Sequence, residues 1–323
     1  MCAADSTPFA VTGMPSHHLV CLNNAGFKVQ HTVSAGKFGV VYRARDLANK
    51  RDVAVKVIDL EKLRPSQGPH SETEIETLAS LRHPHIVPLY ASGKLDETTH
   101  YFVMPFIDGP SLRARLRREV RLPIVEVLRY GIEIADALSA LHARGLIHRD
   151  VKPENILIDG RHAMLTDFGL VCEAHAAVAD EDDDPVVGTP TYMAPEQWHH
   201  GAAIDGRADI FGLACLMYEC LSGTAPNEER LHEPERRSMR EWDDRGAPEN
   251  EAAPYESPMR PVVNLRERRP EASPKLEELL RRALRLNPAA RLATADSFRD
   301  ALDVLLADEM ATSGLPRWLR GRR

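Results

Sequence analysis

The sequence has few cysteines and no hydrophobic run long enough to span a membrane. No apolar run approaches the roughly 20 residues that a bilayer requires. The beginning, MCAADSTPFAVTG, lacks the basic region and the apolar stretch of a secretory signal. The five cysteines show no metal-ligand spacing, and their odd number argues against a disulfide framework. We therefore expect a cytoplasmic protein with no transmembrane segment.

Positive charge is also scarce. The 41 Lys and Arg residues are outnumbered by 48 Asp and Glu residues, which gives a formal net charge of −7. This balance leaves no electrostatic footprint for DNA or RNA, so we expect no nucleic-acid partner. Only the tail at residues 308–323, which contains LPRWLRGRR, is locally basic. We interpret it as a solvated end, with docking to acidic lipid or protein as the alternative.

The first third of the sequence predicts a small sheet. Residues 1–24 are expected to form an irregular leader, and β-branched runs dominate residues 27–101. These runs are FKVQHTV, GVVYRA, DVAVKVI, IVPLY and HYFVM, and one helical stretch, SETEIETLASL, interrupts them.

Helical patterns take over after DGPSL. Apolar residues recur with 4-3-4-3 spacing at Val127, Gly131, Ile134, Leu138 and Leu141. This spacing predicts a long core-facing helix that ends near Gly145. Further helical segments are DIFGLACLMYECLSG, KLEELLRRALRL and ATADSFRDALDVLLADE. The predicted fold class is α+β, with a small mostly-β lobe that contains one helix and a larger, mainly helical lobe. A chain of 323 residues with 43% hydrophobic content can bury both cores.

Residues 224–274 interrupt the helical patterns. They are rich in Pro, Glu and Arg and show little periodicity. We interpret this segment as a solvated connection between helices, and a docking or regulatory insert is the alternative.

The stretch LIHRDVKPENILIDG, residues 146–160, concentrates charges beside apolar residues. The dipeptide Asp159-Gly160 is a strong hairpin signal between the apolar runs at residues 156–158 and 163–165. Folding about that turn is expected to set Asn155 opposite Asp167, one at each open end. An amide oxygen and a carboxylate that face one space are hard oxygen ligands, which suit Mg²⁺.

HRDVKPEN followed by DFG resembles the catalytic core of the eukaryotic-like (Hanks-type) serine/threonine protein kinases. The resemblance covers residues 27–306 and implies a bilobal kinase fold. The implied kinase domain spans residues 25–307, with an N-lobe at 25–104, a hinge at 105–109 and a C-lobe at 110–307. The implied reaction transfers the γ-phosphoryl group of ATP to Ser or Thr hydroxyls of protein substrates. The implied cofactor is Mg²⁺, with Mn²⁺ as an alternative.

The resemblance assigns roles in the C-lobe. Asp150 would be the catalytic base, and Lys152 would offset charge on the transferring phosphate. Asn155 and Asp167 would hold the metal. Thr189, in GTPTYMAPE, would bridge Asp150 and Lys152.

It also assigns supporting residues. His148 would support the metal-binding turn and Arg149 would pair with the activation segment. Asp209 would hold the backbone of the catalytic loop, and Glu196 would form a buried pair with Arg291.

The nucleotide-binding residues follow from the same resemblance. VSAGKFGVVY resembles the glycine-rich loop, although Ser34 stands where the family has its first glycine. Lys56 of VAVK would bind the α- and β-phosphates. Its partner would be Glu74, which stands nine residues before HPHIV, with Glu72 and Glu76 as alternatives. Pro105 stands in the hinge where an acidic residue is more usual, but it retains the carbonyl that adenine needs.

The remaining nucleotide contacts are also implied. Met104 would be the gatekeeper, and the amide of Ile107 would donate to adenine. Val41, Ala54 and Leu157 would sandwich the base. The full expected ATP-binding set is Val33, Ser34, Ala35, Gly36, Lys37, Phe38, Gly39, Val41, Ala54, Lys56, Glu74, Met104, Pro105, Ile107, Leu157 and Asp167.

The activation segment has an unusual composition. Residues 170–187 read LVCEAHAAVADEDDDPVV, with no Ser, Thr or Tyr, and residues 180–184 are five consecutive carboxylates. One hypothesis is a solvated acidic loop. The other is that one carboxylate pairs with Arg149 and orders the loop without phosphorylation.

Two other functions compete with a kinase. A pseudokinase scaffold normally lacks at least one residue of the set Lys56, Glu74, Asp150, Asn155 and Asp167, all of which are present. A small-molecule phosphotransferase would lack the peptide-seating GTPTYMAPE. The choice of Ser/Thr over Tyr rests on Lys152 and on Gly188-Thr189.

Overall fold

The computed structural model describes residues 16–36, 39–59, 72–168, 171–173, 190–198, 204–226 and 264–312. The chain divides into two compact units. The sheet unit contains residues up to 107 except 72–77 and 82–87, and the helical unit contains those two segments and the chain from residue 108 onward. No helix in these described ranges is both long enough and apolar enough to cross a membrane.

The sheet unit is built on an antiparallel sheet. Its strands are β1 (Phe27–Gly36), β2 (Gly39–Asp46), β3 (Arg51–Asp59), β4 (Ala91–Lys94) and β5 (Thr99–Pro105), in the order β1-β2-β3-β5-β4. Alternate residues of β2 and β3, including Tyr42, Val53 and Val55, are buried in one apolar core. Period-two alternation in the sequence therefore places one face of the sheet on that core.

The prediction of an irregular leader at residues 1–24 is wrong for residues 16–24, and residues 1–15 lie outside the described structure. Residues Ser16–Asn24 form helix α1, whose Leu22 is completely buried in the core beside Tyr42. The ring of His18 also hydrogen-bonds the Tyr42 hydroxyl at 3.3 Å. This short helix is stabilised by its contacts with the sheet. Such contacts cannot be predicted from the local amino-acid composition.

The prediction of a strand at IVPLY is also wrong. Ile86 forms a parallel bridge with Leu165 in the helical unit, and the Val87 amide donates to the Leu165 carbonyl at 2.9 Å. Pro88 then removes a backbone donor. The strand that completes the sheet, β4, begins only at Ala91, which pairs with Val103.

Helices dominate the chain after the sheet. They are α2 (Glu72–Ser80), α3 (Leu112–Glu119), α4 (Ile124–His142), α5 (Arg207–Ser222), α6 (Leu265–Arg268), α7 (Pro274–Ala283) and α8 (Ala295–Thr312). The predicted 4-3-4-3 face of α4 is confirmed, because all five of its residues are buried. Helix α4 packs against α5 and α8.

The caps explain several boundaries. The Ser111 hydroxyl accepts from the Ala114 amide at the start of α3, and the Ser273 hydroxyl accepts from the Leu276 amide at the start of α7. Helix α5 ends at Ser222 and is followed by Gly223, whose φ of 88° is a left-handed conformation that favours glycine.

Two helices were not predicted. Helix α3 carries no strong periodicity, and α6 lies inside the segment expected to be a solvated connection. Helix α8 was predicted through residue 309 and extends to Thr312, past the domain boundary expected at residue 307. Leu265 of α6 is buried, so the end of that segment belongs to the core of the helical unit.

Two short antiparallel strand pairs complete the helical unit. Strand β6 (Leu146–Ile147) pairs with β9 (Cys172–Glu173), and β7 (Ile156–Asp159) pairs with β8 (His162–Leu165). The β7–β8 pair confirms the hairpin predicted about Asp159-Gly160.

Candidate active site

The β7–β8 hairpin brings Asn155 close to the DFG sequence, with a register one residue away from the prediction. Ile156 pairs with Leu165, and the Thr166 amide donates to the Asn155 carbonyl at 2.9 Å. Asn155 therefore lies opposite Thr166, not opposite Asp167 as predicted. The ladder continues one pair beyond the strands, and Asp167 follows with a φ of 66°, which is uncommon for a residue other than glycine.

Asp150, Lys152 and Asn155 form one polar cluster. The side-chain amide of Asn155 donates to the Asp150 carbonyl at 2.8 Å and to Asp150 Oδ2 at 2.9 Å. The Lys152 ammonium lies 2.9 Å from the same Oδ2. Since a carboxylate only accepts, the nitrogen of the Asn155 amide must face Asp150 and its oxygen must face away.

The charges in this cluster interact strongly. Burial opposes the charged form of Lys152, but the Asp150 carboxylate, together with Asp167 and Glu154, outweighs it. The pKa of Lys152 is therefore raised, and its ammonium stays charged at neutral pH. Because Asp167 contributes to this shift, it belongs to the same electrostatic neighbourhood as Asp150 and Lys152.

Asp209, at the start of α5, holds the backbone that precedes Asp150. Its carboxylate accepts from the amide of His148 at 2.9 Å and from the amide of Arg149 at 2.8 Å. A third bond joins it to the ring of His142 at 2.8 Å. Burial opposes the charged form of Asp209, but His142 and His148 outweigh it, so its pKa is lowered. The predicted role of Asp209 is confirmed.

His148 is completely buried and spans the cluster. Its Nδ1 accepts from the Asp150 amide at 3.3 Å, so its Nε2 must carry the proton that is donated to the Thr166 carbonyl at 3.1 Å. The ring also lies edge-on to Phe168, with centroids 5.5 Å apart. The predicted structural support by His148 is thus confirmed.

Glu196 and Arg291 form the predicted ion pair. The two guanidinium nitrogens of Arg291 contact the two carboxylate oxygens of Glu196 at 2.6 and 2.7 Å. Arg291 also donates to the carbonyls of Arg207, Arg285 and Leu286. The pair connects the end of the peptide-seating motif to the start of α5 and to the loop before α8.

The predicted nucleotide residues of the sheet unit lie on its central strands. Lys56 of β3 pairs with Phe102 of β5 and is only 8% exposed. Ala54 lies opposite Met104, and Val41 of β2 lies opposite Lys56. Lys56 is therefore a buried lysine, as its apolar neighbours predicted, on the face of the sheet opposite Val55.

The glycine-rich loop joins β1 and β2. Gly36 pairs with Gly39, whose φ is 151°. A Cβ added at Gly39 would lie 2.0 Å from the Val57 carbonyl oxygen, so any other residue is excluded there. Val33, Ser34 and Ala35 are exposed at the end of β1.

Comparison with known proteins decides the family. The profile described as the protein kinase domain matches residues 27–302. The chain belongs to the protein kinase family.

Relatives and solved structures agree with this assignment. The chain is 34% identical over 310 residues to the serine/threonine-protein kinase PknE of Mycobacterium bovis, covering 90% of this chain and 50% of that protein. It is 35% identical over 206 residues to a putative CBL-interacting protein kinase 13 of Oryza sativa subsp. japonica, covering 63% of this chain and 40% of that protein. The chain thus spans half or less of the length of these two curated relatives.

The structural comparison supports the fold. The crystal structure of the Mycobacterium tuberculosis PknI kinase domain gives a TM-score of 0.64 with 26% sequence identity, covering 94% of this chain and 99% of that one. The sheet unit and the helical unit are the two lobes of the kinase fold, and the predicted α+β class is confirmed.

Other predicted site residues of the kinase chain are placed as follows. Pro105 ends β5 opposite Val53, and Ile107 closes the sheet unit. Leu157 lies on β7, where it bridges Ser111. Glu74 lies in α2, but its side chain is outside the described part of the structure. Lys37, Phe38 and Thr189 lie outside the described residues altogether, as do the acidic residues 180–184.

Sequence reasoning missed one polar network beside the catalytic loop. Arg113 of α3 contacts Glu219 at 2.6 Å and Glu154 at 2.6 Å, and it also donates to the Tyr192 hydroxyl. That hydroxyl in turn donates to Glu219 at 2.5 Å. Burial, followed by the charge of Glu219, raises the pKa of Tyr192.

The sequence did carry a signal for this network. Glu219 is a charged residue inside the otherwise apolar run of α5, and a buried carboxylate requires a partner. The partner itself could not be identified, because Arg113 is one of several arginines in α3.

Proposed function

We propose that the chain is an active serine/threonine protein kinase that transfers the γ-phosphoryl group of ATP to Ser and Thr hydroxyls of protein substrates. The observation that carries the proposal is the polar cluster in which Lys152 and Asn155 both contact Asp150 Oδ2. Phosphoryl transfer needs position and counter-charge more than covalent chemistry from the protein. This cluster supplies both in a pre-formed arrangement.

We assign Asp150 as the acceptor of the substrate proton. Both of its side-chain contacts with Lys152 and Asn155 use Oδ2, which leaves Oδ1 as the oxygen that we assign to the hydroxyl. Lys152 is assigned to the transferring phosphate, and its raised pKa keeps it charged for that role. Thr189 is assigned to the link between these two residues on the family resemblance alone.

Asn155 and Asp167 fit a divalent metal. The Asn155 amide nitrogen faces Asp150, so its oxygen is available as a ligand, and Asp167 follows one position beyond the hairpin pair. Both are hard oxygen donors, which suit Mg²⁺, with Mn²⁺ as an alternative. A bound ion of this kind would offset the negative charge of the phosphates.

The sheet unit is assigned to ATP binding. Lys56, which is buried on β3, is assigned to the α- and β-phosphates, with Glu74 of α2 as its partner. The loop around Gly36 and Gly39 is assigned to the phosphates, and the remaining ATP-binding residues keep their predicted roles. We further infer that residues 25–307 form the kinase domain. The cytoplasmic location expected from the sequence stays a prediction.

The test separates kinase, pseudokinase and small-molecule phosphotransferase. ATP consumption is measured with Mg²⁺ in the presence of dephosphorylated casein, of free serine, or of neither. The proposal predicts consumption that depends on the protein acceptor, with label on Ser and Thr. ATP binding without turnover would indicate a scaffold, and turnover with free serine alone would indicate a small-molecule enzyme. Either result would overturn the proposal.

A further inference from the structure

Three segments of the helical unit bring two histidines and a glutamate together on the side of the β7–β8 hairpin where β8 begins. They are His85 in residues 82–87, Glu133 on α4 and His162 on β8. Each residue offers one nitrogen or oxygen, and these atoms all lie within 4.8 Å of one another. The rings of His85 and His162 have centroids 5.8 Å apart.

The hydrogen bond of His85 fixes which nitrogen is available. Its Nδ1 lies 3.1 Å from the Ala163 carbonyl oxygen. A carbonyl only accepts, so Nδ1 carries the proton and Nε2 presents a lone pair. Metal-binding histidines are typically oriented by such a bond from the second ring nitrogen.

Glu133 is a buried carboxylate whose side-chain partner is the histidine His162. It is only 6% exposed and accepts from the Ala163 amide at 2.7 Å. Its other oxygen lies 2.7 Å from Nδ1 of His162. Within the described part of the chain, no Lys or Arg forms an ion pair with it. A buried carboxylate needs partners, and those of Glu133 are the Ala163 amide and the His162 ring. A cation bound beside Glu133 would add the opposite charge.

His162 supplies the adaptable side of the cluster. Its side chain is 65% exposed, so it can rotate without disturbing the core. A zinc ion with bonds of 2.0–2.1 Å places neighbouring ligand atoms about 3.3 Å apart. Since all separations are within 4.8 Å, closing them to this distance requires a movement of no more than about 1.5 Å.

The neighbouring His83 is excluded from the set. Its Nδ1 accepts from the His85 amide at 3.2 Å, and its Nε2 therefore donates to Asp136 at 3.0 Å. Both nitrogens are occupied within the framework that positions His85. The candidate ligands are the remaining three residues.

We propose that His85, Glu133 and His162 bind one divalent transition-metal ion of the zinc class, with water completing the coordination. Two imidazole nitrogens and one carboxylate oxygen form a donor set that suits Zn²⁺, whereas Mg²⁺ prefers oxygen ligands alone. The site would tie residues 82–87, α4 and β8 together.

Zinc titration of the tag-free chain of 323 residues after chelator treatment tests the proposal. Affinity is measured by competition with a chromophoric chelator in the absence of Mg²⁺. The variants are His162→Asn, which alters an exposed side chain, and Glu133→Gln, which keeps an acceptor for the Ala163 amide. The matched control is His31→Asn, since His31 is an exposed histidine on β1 of the other unit.

The expected result is one tight zinc ion per wild-type chain and per control chain. Both cluster variants should lose at least about tenfold in affinity. Co²⁺ should give a visible absorption band in the wild type that is weakened in His162→Asn. No tight ion in the wild type, or equal affinity in His162→Asn and His31→Asn, would overturn the proposal. Since His162 is exposed, the comparison of His162→Asn with His31→Asn decides the matter even if Glu133→Gln fails to fold.

Discussion

Arg291 and Glu196 are joined by two charge-assisted hydrogen bonds, at 2.6 and 2.7 Å, in which the arginine side chain is completely buried and the glutamate is 12% exposed. Paired bonds between a guanidinium and a carboxylate are directional. The pair therefore positions the segment around Glu196 against the loop before α8.

Removing the arginine should be strongly destabilising. Arg291→Ala leaves the Glu196 carboxylate without its partner and opens space beside Phe211, over whose ring the guanidinium lies at 4.9 Å. We expect a loss of about 3–5 kcal/mol in the free energy of unfolding, measured by urea denaturation. The control is Arg281→Ala, which breaks a solvent-exposed pair with Glu278 and should leave the unfolding midpoint essentially unchanged. An unchanged midpoint for Arg291→Ala would contradict this account.

Asp209 should make stability depend on pH in the acidic range. Its folded pKa lies below the ordinary value of 3.8, because partners outweigh burial. A lowered folded pKa gives a contribution that is present above the unfolded value and lost as the pH falls through the folded value. Asp209→Asn also leaves one of the His148 and Arg149 amides without an acceptor, at a cost of about 1–3 kcal/mol.

The measurement compares urea unfolding of wild type and Asp209→Asn from pH 7 to pH 3. The stability gap should be constant near neutrality and should shrink below about pH 4. A gap that widens on acidification would show that Asp209 is not stabilised as a carboxylate.

Asp167→Ala and Lys56→Met should each abolish phosphoryl transfer without unfolding the protein. Loss of a proposed metal ligand or phosphate contact should lower the rate at least about a thousandfold. Methionine retains an apolar stem at the buried position 56, so thermal midpoints should change little. Lys94→Met, at an exposed lysine of β4, is the matched control. Either variant that retains more than a tenth of wild-type activity would refute its assignment.

Arg149 should pair with a carboxylate of the activation segment, so that phosphorylation of that segment is not needed. Within the described ranges its buried Nε has no hydrogen-bond partner, and the carboxylates at residues 180–184 lie outside those ranges. Since residues 170–187 contain no hydroxyl, we expect full activity as synthesised and no effect of phosphatase treatment.

Neutralising the acidic run should lower activity. Replacing the Asp and Glu residues at 180–184 with Asn and Gln should reduce the rate at saturating ATP, and the wild-type rate should fall with added salt. Turnover of the neutralised chain at the wild-type rate in low salt would instead identify the run as a solvated surface.

Local patterns predicted those parts of the fold that local chemistry determines. The hairpin about Asp159-Gly160 and the buried face of α4 followed from residue types at short spacing. The roles of His148 and Asp209 and the pairing of Glu196 with Arg291 came from the family resemblance, because no local pattern joins residues so far apart in sequence.

Two of the misses have their cause in tertiary contacts. Helix α1 is stabilised by Leu22 in the core of the sheet unit, and residues Ile86 and Val87 bond to Leu165 rather than to the sheet. The Asn155 register differed by one residue because turn type, which sets hairpin register, is not readable from the dipeptide alone. Local sequence periodicity does not reveal contacts between segments that are distant in the sequence.

Labelled phosphate transfer by wild type and Asp150→Asn tests the central claim most directly. The purified chains are incubated with γ-labelled ATP, Mg²⁺ and a protein acceptor, and the labelled amino acids are identified after hydrolysis. We predict label on Ser and Thr with the wild type, and a rate at least about a hundredfold lower with Asp150→Asn, whose fold is checked by its thermal midpoint. Equal transfer by the two chains, or no transfer by a folded wild type that binds ATP, would contradict the account.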